Sequence, residues 1–172
     1  MKFIKFFFSS ILILVVIFVL IGVFVPSFSY QNNVSVQAPL NKTFTVFNDE
    51  TRMGEWLTGF RSIETIRGKR NDVGSKNRLV VFGHGKEIVM TEEMTAFKEN
   101  ELFAFNLDND VMLADVDIKF SGDSTRSEIR VNTVVHGKNM FWKSLLPLFK
   151  SNMTKQSQAD YEKLKTIIET DN

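Results

Sequence analysis

The chain begins with a long apolar run, and a polar, charged remainder follows it. From Phe6 to Val25 the sequence contains no charged residue. About twenty residues in a helix span roughly 30 Å, the thickness of the hydrocarbon core of a bilayer. Lys2 and Lys5 precede the run, and the next cation is Lys42. The positive-inside tendency therefore predicts a cytoplasmic N-terminus and an extracytoplasmic C-terminal domain.

A cleaved signal peptide is the alternative interpretation of this run. Ser27 and Ser29 are small residues at the two positions that a signal peptidase reads. The run is longer than the roughly 7–15 residues of a typical signal core, which favours a retained single-pass anchor. A buried core helix fits less well, since soluble helices are seldom apolar on every side. We therefore divide the chain into a cytoplasmic stub with a membrane anchor, residues 1–29, and a folded domain, residues 30–172.

From Phe60 onward the apolar positions recur with a period of two, which is typical of strands with one buried face. Six predicted strands follow one another with short polar turns between them: residues 60–70, 75–82, 86–97, 101–107, 111–120 and 125–135. The clearest inward-facing sets are Ala114, Val116, Ile118 and Phe120, and then Ile129, Val131, Thr133 and Val135. Such a succession predicts an antiparallel meander with one apolar and one polar face.

Short elements precede the meander. Residues 32–37 alternate weakly and predict a first strand at an edge of the sheet. Ala38-Pro39 opens a helix, with the proline in its tolerated first turn. Residues 49–57 predict a second short helix that is capped by Asn48 or Asp49 and carries Trp56 near its end.

A long helical segment ends the chain. Residues 138–170 place apolar side chains three to four positions apart, and Pro147 is expected to kink the helix or to mark the start of its regular part. The apolar face of the meander needs a cover, and only this helix is long enough to supply it. The fold class is therefore α+β.

Composition excludes several classes of function. Lys and Arg number 21 against 20 Asp and Glu, so no strongly basic face favours nucleic acid as a partner. The absence of cysteine excludes disulfides, thiolate catalysis and cysteine zinc sites. The two histidines, His84 and His136, lie far apart and make no metal signature, and we predict neither a metal nor a cofactor. The Lys-, Asn-, Phe- and Ile-rich usage suggests a bacterial origin.

The order of elements and several short motifs resemble one known family. Ala38-Pro39, Val46-Phe47 and Trp56 stand where the START-like, Bet v 1-like superfamily has its Ala-Pro, Val-Phe and helix-ending tryptophan. The stretches DVGSKNRLVV, SGDSTRSEIRVN and YEKLKTIIE resemble that family's middle strand opening, last strand and terminal helix. The resemblance covers residues 32–169 and extends to the polyketide cyclase/dehydrase and lipid-transport proteins. It implies a helix-grip fold, in which a curved antiparallel sheet wraps around the long C-terminal helix.

The resemblance also implies a cavity between the sheet and the C-terminal helix that suits an apolar ligand. The candidate ligand-binding residues are aromatic or methionine: Trp56, Phe82, Met90, Phe103, Phe105, Met112, Phe120, Phe149 and Met153. Soft, polarisable side chains suit irregular apolar guests. The alternative is that these residues fill the core, and for Trp56 a role as a packing anchor is favoured over ligand contact.

These observations predict a membrane-tethered, non-catalytic module that binds a lipid or another hydrophobic small molecule. An enzyme of the cyclase or hydratase type in the same pocket is the first alternative. It requires an inward polar group, for which Glu92 and His136 are the candidates. The second alternative is a structural or partner-binding envelope protein with a solid core. A buried acid with a shifted pKa in the cavity would favour the enzyme.

Overall fold

The computed structural model describes residues 2–83 and 85–171 of the chain. The helices are α1 (Lys2–Phe24), α2 (Leu40–Phe47), α3 (Met53–Trp56), α4 (Met140–Leu145) and α5 (Lys150–Thr170). The strands are β1 (Ser27–Val36), β2 (Phe60–Arg67), β3 (Lys76–Gly83), β4 (Lys86–Lys98), β5 (Leu102–Asp108), β6 (Met112–Gly122) and β7 (Ser127–Gly137). Short 3₁₀ turns, Glu50–Arg52 and Leu146–Phe149, precede α3 and α5.

The strands form one antiparallel sheet in the order β1-β7-β6-β5-β4-β3-β2. The meander is confirmed, and β1 closes the far edge beside β7. The pairing register of β6 and β7 places their predicted inward residues on one face, and all of these residues are buried. Register shifts in β2 and at Met94 of β4 add bulges, which bend a sheet locally. The sheet therefore has a concave apolar face, which we call the inner face.

β1 is longer than the sequence pattern indicates. It begins at Ser27, five positions before the predicted start, and residues 27–29 pair with residues 134–136 of β7. Phe28 is buried against Ala114 and Val135. Only Val25 and Pro26 separate α1 from β1. The sheet therefore begins directly at the end of the apolar helix.

The C-terminal segment is divided at its proline. Pro147 lies in the 3₁₀ turn between α4 and α5, where a residue without an amide hydrogen is tolerated. The regular helix begins at Lys150, so the expected effect of Pro147 is confirmed. α5 packs along β1, with α2 and α3 against it further along. The molecule is a helix-grip fold with an apolar N-terminal helix.

Hydrogen bonds fix α5 in place at two points. Asp160 accepts from the Thr58 hydroxyl at 2.6 Å and from Gln156 Nε2 at 3.0 Å, which ties α5 to the turn after α3. Asn32 of β1 donates through Nδ2 to the Thr154 carbonyl at 3.1 Å. Both Asp160 and Asn32 are buried, and their bonds to partners nearer the surface hold the helix in one register.

The last turns of α1 contact the folded domain. The rings of Phe18 and Phe141 lie 5.7 Å apart between centroids. Gly22 is buried, and a Cβ at this position would lie 2.9 Å from Met140 Sδ, so the glycine allows α1 and α4 to approach closely. Almost all the other described side chains of α1 are exposed. The segment Lys5–Phe24 is long and apolar enough to cross a membrane.

Candidate ligand-binding site

Trp56 is a packing residue between three elements. Its ring lies 5.9 Å from Phe47 of α2 and 5.9 Å from Tyr161 of α5, measured between centroids. Only 5% of the residue is exposed, and its indole Nε1 has no hydrogen-bond partner among the described residues. The favoured sequence interpretation of Trp56, an anchor of the helical layer, agrees with this position.

Phe103 and Phe120 belong to the same aromatic cluster. Their ring centroids lie 5.2 Å and 5.0 Å from that of Phe47, and Phe105 lies 5.7 Å from Phe103. Edge-to-face and tilted contacts of this kind fill space and add to the energy of burial. These residues of the predicted lining therefore pack against one another and against Phe47, beneath α2 and α3.

Met112 and Met153 lie in a second apolar cluster, near the start of α5. They pack with Phe28, Ala114 and Val135. Met90 is buried on the inner face of β4, opposite Leu79 of β3. The structure thus divides the candidate residues between two regions of the inner face.

Phe82 and Phe149 do not face the space between the sheet and α5. Phe82 is 43% exposed, and the guanidinium carbon of Arg61 lies 5.1 Å from its ring centroid. Because side chains alternate along β3, the register that turns Leu79 and Val81 inward turns Phe82 to the outer face. Phe149 lies exposed in the 3₁₀ turn before α5. Both residues were predicted from residue type alone, which takes no account of the register of β3 or of where α5 begins.

The inner face of β2 to β5 carries a set of apolar side chains that are only half-buried. Sequence reasoning did not single most of them out. They are Phe60, Ile63, Val81, Ile88, Phe105 and Leu107. Strand pairing places them on one face, since Phe60 opposes Val81 and Val81 opposes Ile88. Apolar residues on the concave side of a sheet are normally covered, so their partial exposure leaves an apolar surface on this face that the rest of the chain covers only in part.

A short hydrogen-bonded row of polar residues crosses this apolar face. The Thr65 hydroxyl donates to Asn77 Oδ1 at 2.8 Å, and Asn77 Nδ2 donates to Glu92 Oε1 at 2.8 Å. Glu92 is 5% exposed and opposes Leu107 of β5. Burial raises the pKa of Glu92, while the bond from Asn77 and the charge of Arg70 act in the opposite direction. The inner face therefore contains one buried carboxyl with a raised pKa.

Arg70 is the cation whose positive charge lowers the pKa of the Glu92 carboxyl. It pairs with Glu50 and donates to the Asn48 carbonyl, both at the end of the α2 layer. Burial lowers the pKa of Arg70, and the charge of Glu92 acts against that lowering. Arg70 thus links the loop after β2 to the helical layer above the polar row.

The two histidines lie apart from this row. His136 pairs with Asp115 at 3.2 Å on the outer face, and it is half-exposed. It is therefore not in position to act on a ligand beneath α5. His84 lies outside the described residues. In residues 2–83 and 85–171, no three histidine or acidic side chains come together as metal ligands.

Two tyrosines lie on β1 and α5, with Tyr30 beside the second apolar cluster and Tyr161 in the main core with Trp56. Burial raises the pKa of Tyr30, and a hydrogen bond with Thr133 partly offsets this. Burial also raises the pKa of Tyr161, to which the nearby Tyr30 and Asp160 contribute. Both phenols therefore remain neutral hydrogen-bonding groups at physiological pH.

Comparison with known proteins shows the fold. No protein-family model and no curated protein matches the chain by sequence. Solved structures do match it. The crystal structure of Ara h 8.0201 has a TM-score of 0.66 at 16% identity, over 83% of this chain and 97% of that one. TTHA0849 from Thermus thermophilus has a TM-score of 0.66 at 14% identity, over 81% and 96%. The Zhui aromatase/cyclase from Streptomyces sp. R1128 has a TM-score of 0.67 at 13% identity, over 83% and 94%.

These likenesses confirm the helix-grip fold that the sequence resemblance predicts. Identities this low establish the fold and leave activity and ligand to the residues of the site.

Proposed function

We propose that the chain is a membrane-tethered module that binds a lipid or another hydrophobic small molecule between the inner face of β2 to β5 and α5. The observation that carries the proposal is the half-buried apolar set on that face. Covering such surface stabilises a complex by about 25 cal/mol per Å² of apolar area removed from water. The methionines beside it, Met90, Met112 and Met153, can adjust to an irregular guest.

The tether is the second part of the proposal. α1 has the length and composition of a membrane-spanning helix, and two residues separate it from β1. A linker this short keeps the folded domain at the bilayer surface. The lysines before the apolar run support a cytoplasmic N-terminus and an extracytoplasmic domain, by the positive-inside tendency.

Extraction and mass spectrometry test the binding. The full chain is purified, exchanged into nanodiscs of one synthetic lipid and extracted with organic solvent. We expect a hydrophobic molecule, other than the synthetic lipid, at about one per chain. In Met153→Trp, the larger ring occupies the space beneath α5 and most of this molecule is lost. Lys155→Trp, on the exposed side of the same helix, retains it.

If Met153→Trp and Lys155→Trp retain equal amounts of the extracted molecule, that molecule binds around α1 and not beneath α5. A clean extract from a folded chain would leave the module without a ligand and favour a partner-binding role.

An enzyme of the cyclase or hydratase type is the second candidate, and Glu92 is the observation that favours it. A buried carboxyl with a raised pKa can act as a general acid among apolar groups. Glu92→Gln separates the two functions. An enzyme lacking this acid retains unreacted substrate, so the extracted molecule changes in structure, and also in mass where the reaction adds or removes water. A binding module retains the same molecule in a different amount.

A further inference from the structure

A second apolar surface lies outside the fold core, at α4 and the turn that follows it. Large apolar side chains project from this segment into solvent, with Phe141 53% and Leu148 59% exposed. Met140 and Phe149 are exposed beside them. We call these four residues the α4 surface. Exposed apolar clusters of this kind mark sites of contact with a membrane or a partner.

The charges around the α4 surface have one sign. From residue 138 to residue 159 the chain contains four lysines and no acidic residue, although the whole chain is nearly balanced. Lys138 pairs with Asp108 at 2.5 Å. Among the described residues, Lys143 and Lys150 have no acidic side chain within 4.0 Å. An apolar face bordered by unpaired lysines suits a boundary between acyl chains and anionic headgroups.

The contact with α1 sets the depth of this surface. Phe18 and Gly22 meet α4 near the end of α1, which stops at Phe24. At about 1.5 Å per residue, these contacts lie roughly 9 Å and 3 Å below the outer end of the helix. Interfacial helices bury their apolar faces about 5–10 Å into the headgroup and acyl boundary. The contact at Phe18 falls within this range, and the contact at Gly22 lies nearer the surface.

We propose that the α4 surface is a membrane-docking site, buried in the outer boundary of the bilayer that α1 crosses. The partner is the lipid surface itself, with anionic headgroups beside Lys143 and Lys150. This inference rests on the tether in the proposed function and is independent of any bound ligand. Docking at both α1 and α4 fixes the orientation of the domain. It also brings the second apolar cluster, at Met153 and Leu146, to the end of the site nearest the bilayer.

The two tryptophans of the chain provide the test. Trp142 lies in α4, and Trp56 is buried beneath α2. Two variants of the full chain, Trp56→Phe and Trp142→Phe, each retain one of them. Each is reconstituted in nanodiscs of phosphatidylcholine and phosphatidylglycerol that carry quencher groups at a shallow or a deep acyl position. We expect strong quenching of Trp142, greater for the shallow than for the deep label, and little quenching of Trp56.

Quenching of Trp142 no stronger than that of Trp56 overturns the proposal. A third variant, Trp56→Phe with Phe141→Ser and Leu148→Ser, keeps α1 and Trp142 but loses most of the α4 surface. Its Trp142 quenching is expected to fall, and undiminished quenching contradicts the role of those side chains. Co-elution of the chain with nanodiscs tests the membrane tether, and solvent extraction tests the bound ligand. Failure of the tether, of ligand binding or of docking at the α4 surface can therefore be told apart.

Discussion

At the scale of single residues, Glu92 gives the sharpest prediction. Because burial raises its pKa above the ordinary 4.5, the folded chain keeps this proton where the unfolded chain has lost it. The stabilisation is complete below about pH 4.5 and is lost as pH rises through the folded pKa. Relative to Glu92→Gln, which cannot ionise, the wild-type chain should lose stability across this window. Urea unfolding in detergent from about pH 4 to pH 8 measures the difference.

Glu93→Gln is the matched control for this experiment. Glu93 is the next residue of β4, points to the outer face and pairs with Lys76 at 2.9 Å. The pH dependence of Glu93→Gln should follow that of the wild type. Parallel curves for the wild type and Glu92→Gln would mean that Glu92 titrates as an ordinary surface carboxyl.

Trp56 yields a second prediction at this scale. Trp56→Ala leaves a cavity between Phe47 and Tyr161 and should cost about 3–5 kcal/mol of unfolding free energy. Trp56→Phe fills most of that space and removes an indole N–H that is buried without a partner. Its cost should be clearly smaller in the same denaturation measurement. Equal costs for the two variants would show that the indole ring is not held in this contact.

At the scale of elements, the placement of α4 depends on Gly137. A Cβ on this residue would lie 2.5 Å from the backbone nitrogen of Lys143 and 2.6 Å from the carbonyl carbon of Trp142. Gly137→Ala therefore pushes α4 away from the end of β7 and should destabilise the fold by roughly 1–3 kcal/mol. Gly83→Ala, where a Cβ meets only Ile88 Cδ1 at 3.5 Å, is the control. A change in thermal midpoint no larger than the control's would contradict the close packing of α4.

The elements themselves could mostly be predicted from the sequence. Period-two alternation located β6 and β7 because one face of each is buried and the other is wet. The same reasoning missed the first half of β1. Residues 27–31 follow the apolar run directly, and their pairing with β7 is a long-range contact that local pattern does not encode. The predicted second helix divides into a 3₁₀ turn and α3, with Asp49 accepting from the Thr51 amide at its start.

The candidate site was less predictable than the fold. Residue type alone selected Phe82, whose outward orientation depends on register, and it overlooked Ile63, Val81 and Ile88 on the inner face. Glu92 was a candidate, but the polar row that satisfies it comes from two other strands, through Asn77 and then Thr65. Contacts between strands decide which polar group is buried, and a single strand's pattern does not contain them.

At the scale of the whole molecule, the chain combines an apolar helix long enough to cross a membrane, the α4 surface proposed to dock on it and a concave apolar face. α1 continues almost directly into β1, and α4 packs beside α1. In the proposed orientation, a hydrophobic ligand that leaves the bilayer meets the domain at its second apolar cluster. The central claim is that such a ligand binds beneath α5, and not only around the anchor.

Photo-crosslinking with a diazirine-bearing lipid tests that claim most directly. The full chain in nanodiscs is irradiated, digested and mapped by mass spectrometry. We predict crosslinks on inner-face peptides of β4 to β6 and on α5 around Met153, in addition to those on α1 and α4. Competing unlabelled lipid should remove the inner-face crosslinks first, since those sites are few and saturable. Crosslinks confined to α1 and α4 would contradict a binding site beneath α5.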